Sequence, residues 1–288
     1  MIVKAKILIL FLLCTFVITE DYENIEVSET KKKLSNEIFK KLEKEHYIKT
    51  INKEDFNEKY VKAIFDRLDK NKNYFTKNEV SEFIKESKKD NENIFDIFLA
   101  YEIINLYFKK LIEFSDLQIA MIEQDEFNFK TEEYLDIFYE DNEWLSDVSE
   151  IQNLWRLETK NDLLIAKISD SSSPDYKKDL VKRYKNRIRR ITQQKEEDIF
   201  TLAINILTNQ FDPHSSYLSP RSAEDFDVNM SLILSGIGAL LGVEDDYTKI
   251  INLVPGGPAE KSGKINPEDR ISKIRQKNSD KFVDVVGW

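Results

Sequence analysis

The sequence predicts a mainly α N-terminal domain followed by a small α+β domain, and three observations carry that expectation. Charged residues make up 33% of the 288 positions, while glycine and proline are few, which favours long solvated helices over a sandwich of strands and turns. All seven glycines lie at or beyond Gly236, and of the prolines only Pro174 precedes Pro213. The chain is therefore two compositions joined near residue 211. Up to about Gln210 the apolar residues recur at three- and four-residue steps. Beyond residue 230 that period gives way to two short apolar runs.

Formal net charge is -10, so the protein as a whole has no general attraction to nucleic acid or anionic lipid. Residues 1–19 read as a secretory signal. Lys4 and Lys6 supply the positive start, and Ile7 to Ile18 is apolar apart from Cys14 and Thr15. That run is too short to span a bilayer comfortably. No small-x-small pair precedes Glu20, so an uncleaved anchor remains the alternative to cleavage. Bulky Leu13 argues against lipidation at Cys14. Cys14 is the only cysteine, so a chain without its leader has no disulfide and no cysteine-based metal site.

Residues 20–210 form the helical domain. Leu34, Ile38, Leu42 and Tyr47 mark a first apolar face, and Phe56, Tyr60, Ile64 and Leu68 a second. Glu92 or Asn93 opens a longer helix with Ile94, Phe98, Tyr101, Ile104, Phe108, Leu111 and Ile119 on one side. Trp144, Leu145, Val148, Ile151, Leu154 and Trp155 mark another. Ser173-Pro174 is a break. One further helix is then expected from Asp175 toward Thr208.

Three stretches here invite sharper readings. Asp69-Lys70-Asn71-Lys72-Asn73 begins like a calcium loop, but Tyr74 stands where that loop needs glycine and Val80 where it needs a bidentate carboxylate. A polar turn is favoured, with Thr76 and Glu79 forming a capping box. Lys177 to Arg190 holds eight basic residues and one acid. A solvated helix face explains it, a partner surface is the second reading, and nucleic acid the third. Phe211-Asp212-Pro213-His214-Ser215-Ser216-Tyr217-Leu218-Ser219-Pro220 is dense in turn formers and belongs to a joint over residues 211–229. Ser215, His214 and Asp212 are neighbours on one turn, whereas the members of a triad come from separate elements. Hydrogen bonds that fix the joint are expected instead. Ser222 and Asp225 start a short helix.

Residues 230–288 carry the candidate site. Gly236-Ile237-Gly238-Ala239 leads into an apolar run, Asp245-Asp246 turns, and Ile250 to Val254 follows, which reads as two strands. Pro255-Gly256-Gly257 ends the second strand. Pro258 suits the first position of a short helix and Gly263 its stop. Glycines at 236 and 238 relieve the limits on φ, so successive N–H groups can gather around an anion such as a terminal carboxylate. The strand after them offers an edge to an extended peptide. This order of elements resembles a PDZ domain.

The stretch from Phe211 to Pro220, then Met230-Ser231-Leu232 before Gly236, then Val254-Pro255-Gly256-Gly257-Pro258-Ala259, closely resembles the tail-specific (carboxyl-terminal processing) proteases. The likeness continues through Val283 to Trp288. Asp66-Arg67-Leu68-Asp69 with Tyr74-Phe75 resembles the helical N-terminal region of the same family. The resemblance implies a periplasmic serine endopeptidase that recognises the apolar C-terminal tails of protein substrates through its PDZ domain and cuts with a serine–lysine pair. Gly236, Ile237, Gly238 and Ala239 match the carboxylate-binding loop. The serine and lysine of that family match no residue here, so no catalytic residue is assigned, and no metal or cofactor is expected. The chain is expected to be an N-terminal fragment ending inside an incomplete PDZ-like domain. A non-catalytic peptide-binding scaffold or an inactive remnant is the alternative. An adaptor protein and inner-membrane association stay open as partners, and nucleic acid is not expected.

Overall fold

A computed structural model describes residues 22–47, 55–89, 95, 97–124, 127–136, 143–169, 175–231, 236–275 and 279–287. The signal-like segment 1–19 and the expected helix start at Glu92 or Asn93 lie outside them. The chain divides into two compact units, Met1–Tyr217 and Leu218–Trp288.

The first unit is helical: α1 (Glu29–Glu45), α2 (Phe56–Leu68), α3 (Lys77–Glu86), α4 (Ile97–Glu123), α5 (Val148–Ser169), α6 (Tyr176–Thr192) and α7 (Glu196–Asn209). Its main core is built on α2, α4 and α7, where Tyr60, Ile64, Phe65, Ile103, Ile104, Phe200, Ile204 and Leu207 are fully buried. Steps of three and four residues, as in Tyr60–Ile64, Ile97–Ala100–Ile104 and Phe200–Ile204–Leu207, put one stripe of each helix against its neighbours. Buried Tyr60 keeps its hydroxyl satisfied by donating to the Ala203 carbonyl at 3.0 Å. Phe98 was expected on the apolar side of α4, yet it is 48% exposed, with the Lys32 ammonium 4.3 Å from its ring centroid. Trp144 and Leu145 precede α5 and do not belong to it.

The single helix expected over 175–208 is two. α6 ends at Thr192 and α7 begins at Glu196. The electrostatics of helix ends explain the break. Arg189 and Arg190 sit in the last turn of α6, while Glu196, Glu197 and Asp198 fill the first turn of α7. Cations at a C-terminus and anions at an N-terminus each favour the partial charges there. The Asp198 carboxylate also accepts the Lys195 N–H at 2.8 Å.

The turn after α2 is organised by one carboxylate. Asp69, 2% exposed, accepts the backbone N–H groups of Asn73, Tyr74 and Phe75 at 2.7, 3.1 and 3.1 Å, and the Trp144 indole N–H at 3.3 Å. Burial pushes its carboxyl above the ordinary range, opposed by those donors. A carboxylate so occupied is a structural clamp, which is the polar-turn reading. Thr76 and Glu79 form the expected capping box on α3.

The second unit holds α8 (Pro220–Ser231), β1 (Ala239–Glu244), β2 (Tyr247–Leu253), α9 (Pro258–Ser262), β3 (Arg270–Ile271), β4 (Lys273–Ile274) and β5 (Val283–Asp284). β1, β2 and β3 form an antiparallel sheet in that order, and β4 pairs with β5. Ser219 caps α8 by accepting the Ser222 N–H at 3.2 Å. Among the described residues of this unit only Ile250, Ala259 and Val285 are buried apolar side chains.

Candidate functional site

The hairpin of β1 and β2 is set by its turn. Asp245 adopts a φ of 54°, a left-handed value that Asn and Asp tolerate. Register runs from Glu244 opposite Tyr247 to Ala239 opposite Leu253, with an irregularity between Leu240 and Leu241. Across the strands, Glu244 accepts from the Arg270 guanidinium at 2.6 and 3.0 Å and from Lys249 at 3.1 Å. The Arg270 and Lys249 bonds hold the Glu244 carboxyl below its usual range.

The four predicted loop residues stand at the start of β1. The Ala259 N–H donates to the Ile237 carbonyl at 2.8 Å, and the Val254 N–H to the Gly238 carbonyl at 2.8 Å. There is no cis peptide bond among the described residues, so in each peptide unit the N–H opposes the C=O. The Gly238 N–H therefore points away from α9 and the Ala239 N–H away from β2. The Val254 bond also makes Ala239 and Leu253 a non-hydrogen-bonded pair, which directs the Ala239 N–H to the outer edge of β1. That edge lies at the end of the sheet. Ile237, Leu240, Leu241 and Val243 beside it are 46%, 57%, 43% and 77% exposed.

Gly238 has a φ of 75°, and a Cβ there would lie 2.9 Å from Pro258 Cδ and 3.0 Å from Gly257 Cα. Glycine is thus demanded by backbone conformation and by close packing together. Gly236 is different. It is exposed, and a Cβ there would meet nothing within 4 Å. A backbone conformation that calls for glycine is present at Gly238.

The turn-rich joint is folded back on α7. Phe211 is buried among Phe39, Phe56 and His46. The Asn205 side-chain oxygen accepts the Tyr217 N–H at 2.8 Å, and Thr208 donates to the Ser215 carbonyl at 2.9 Å. Asp212 accepts the His214 N–H at 2.6 Å and the Tyr47 hydroxyl. The histidine beside Ser215 is not its sequence neighbour: His46 Nε2 lies 3.1 Å from Ser215 Oγ. Sequence spacing gave no sign of that pairing across 169 positions. The Asp212 carboxylate is engaged by Tyr47 and the His214 amide, so these groups brace the joint. Among the described residues no cluster of His, Cys, Asp and Glu could hold a metal ion, and no helix is long and apolar enough to cross a membrane.

A second polar cluster, unforeseen in the sequence, sits among α4, α5 and α6. Asn73 Nδ2 donates to Glu158 at 2.5 Å, Tyr184 donates to Asp162 at 2.6 Å, and Arg187 donates to Gln118 Oε1 at 2.9 Å. Burial, with the neighbouring Asp162 charge, pushes Glu158 up to about 7. Asn73 comes from the turn after α2 and the others from α4, α5 and α6, so the partners lie far apart in sequence.

The sequence matches the family described as Tail specific protease N-terminal domain over residues 38–221. The tail-specific protease of Haemophilus influenzae is 33% identical over 265 residues, which covers 91% of this chain and 38% of that protein. The carboxy-terminal processing protease CtpA of Bacillus subtilis is 39% identical over 67 residues, 23% of this chain and 14% of its own length. A probable CtpA-like serine protease of Staphylococcus aureus is 30% identical over 87 residues, 30% of this chain and 17% of its own length. This chain belongs to the tail-specific protease family. It spans well under half the length of these relatives.

Proposed function

We propose that the chain supplies the helical and tail-recognising part of a periplasmic tail-specific serine endopeptidase. In this reading the second unit is PDZ-like. The C-terminal tail of a protein substrate lies along β1, and its carboxylate accepts from the amides of Gly238 and Ala239, with Ile237 and Gly236 completing the loop. The serine–lysine pair belongs to the part of the full-length protein that corresponds to the relatives' uncovered length. One observation carries the reading: the Gly238 carbonyl accepts from Val254, which turns the Ala239 amide toward the open edge of β1, while the Ile237 carbonyl accepts from Ala259, which turns the Gly238 amide away from α9. Family membership supports the proteolytic role.

The test is a titration of the chain with a labelled peptide ending in apolar residues and with the same peptide amidated at its end. Charge-assisted bonds from two amides predict at least about tenfold weaker binding of the amidated form. Equal affinities would remove the carboxylate from the proposal. The dyad is tested separately. The full-length protein should cleave a tailed substrate and lose that activity on substitution of its serine, while the present chain alone leaves the substrate intact. Fractionation of cells expressing the chain should recover it from the periplasm, or from the inner membrane if the leader is retained.

A further inference from the structure

The eight basic side chains of α6, set against Asp179 alone, do not act as one patch. Arg187 turns inward, donating to Gln118 Oε1 and lying 5.0 Å from the Tyr184 ring centroid. Arg183 pairs with Asp162 of α5 at 3.4 Å. On another side, Lys178, Lys182, Lys185 and Arg189 recur at steps of four, three and four residues, so they share one stripe. At 1.5 Å per residue that stripe spans about 16 Å. Lys178, Lys182 and Lys185 are exposed. They border a groove between α6 and the end of α4, whose floor is buried Ile122 and half-buried Val181. Glu123 stands on the same rim, and Lys178 is bridged by Asp175 at 2.7 Å, an exposed pair that competing carboxylates displace at little cost.

We propose that this groove docks a short acidic segment of a partner protein, in which Asp or Glu side chains flank one or two apolar residues. The cationic rim meets the acids and the Ile122–Val181 floor takes the apolar groups. About five extended residues span the stripe. The finite length selects against larger polyanions. The chain has a formal net charge of -10 despite this helix, so everything outside α6 is more acidic still. The remainder of the chain is net acidic, so a nucleic-acid strand or an anionic bilayer that reaches beyond the stripe gains no net attraction from it.

The probe is a fluorescein-labelled acidic hexapeptide with two central leucines and an amidated end, so that carboxylate capture near Gly238 cannot contribute. Fluorescence anisotropy with the whole chain should show binding that weakens several-fold between about 50 and about 200 mM salt. The triple variant Lys178→Glu, Lys182→Glu, Lys185→Glu should bind at least about tenfold more weakly, and serines in place of the leucines should cost several-fold. Far-UV circular dichroism checks the fold. If the reversal variant unfolds, Lys→Gln at the same three positions decides. Unchanged binding by a folded variant, indifference to the leucines, or equal binding of phosphatidylglycerol vesicles or single-stranded DNA would overturn the proposal.

Discussion

Asp69 shows how much one buried carboxylate can organise. It satisfies three consecutive backbone N–H groups and an indole N–H, so its loss orphans several donors at once. Asp69→Ala should destabilise the helical unit by about 3 kcal/mol, read by chemical denaturation. Glu158 gives a pH signature. Its carboxyl is raised from 4.5 to about 7, chiefly by burial. Between those values the folded protein holds a proton that the unfolded chain releases, so stability falls as pH rises through that window. Glu158→Gln keeps the oxygen that accepts from Asn73 and removes the charge. It should flatten the profile and raise stability above pH 7 by roughly 1–2 kcal/mol. A denaturation series from acid to neutral pH checks this. At Gly238, substitution by Val adds a Cβ against Pro258 and Gly257 at a positive φ. It should cost tail binding more than about tenfold while leaving the helical unit's unfolding unchanged. Normal binding by that variant would show the loop has been misassigned.

Among the elements, the capping box of α3 was legible because a hydroxyl and a carboxylate three residues apart have few other uses ahead of an apolar period. Thr76→Ala should cost about 1 kcal/mol in a thermal or urea unfolding experiment. The break between α6 and α7 was missed because the apolar stripe continues across it: Ile188, Ile191 and Ile199 are all buried. Periodicity reports which face is inside, not whether the backbone is continuous. The legible sign was the switch from Arg189-Arg190 to Glu196-Glu197-Asp198, a C-terminal charge followed by an N-terminal one. The two hairpin strands were read to within three residues at each end, since Asp245-Asp246 and Pro255-Gly256-Gly257 bound them, and β2 begins at Tyr247 rather than Ile250. Phe98 failed for a different reason. The helical period assigns it to a face, but whether that face is covered depends on neighbours that the period does not encode. The His46–Ser215 contact is invisible in the same way, because it depends on how α1 meets the joint.

At the level of the whole molecule, each unit carries its own kind of core. The helical unit buries aromatic and branched side chains across α1, α2, α4 and α7, whereas the described part of the sheet unit buries three small or branched ones. Opening free energy follows buried apolar area, so hydrogen exchange should be slow at the α2 and α7 amides and faster by orders of magnitude in β1 and β2. Equal protection of the two would contradict that account. The two-part composition made this division readable, because glycine and proline concentrate where backbone turns replace side-chain packing. The boundary at Tyr217 was less readable, since Phe211 and Tyr217 look like linker residues until their rings are seen against Phe39 and Phe200.

Because main-chain atoms alone clasp the Gly238 loop, its shape is uncoupled from most side chains around it. Ile237 and Ala239 can therefore change side chain without altering the backbone course of the loop. Gly238, and Gly257, whose added Cβ would sit 2.8 Å from the Val254 carbonyl, should tolerate no such drift. Saturation libraries at these four positions would therefore yield new selectivities from the first pair and only wild-type survivors from the second.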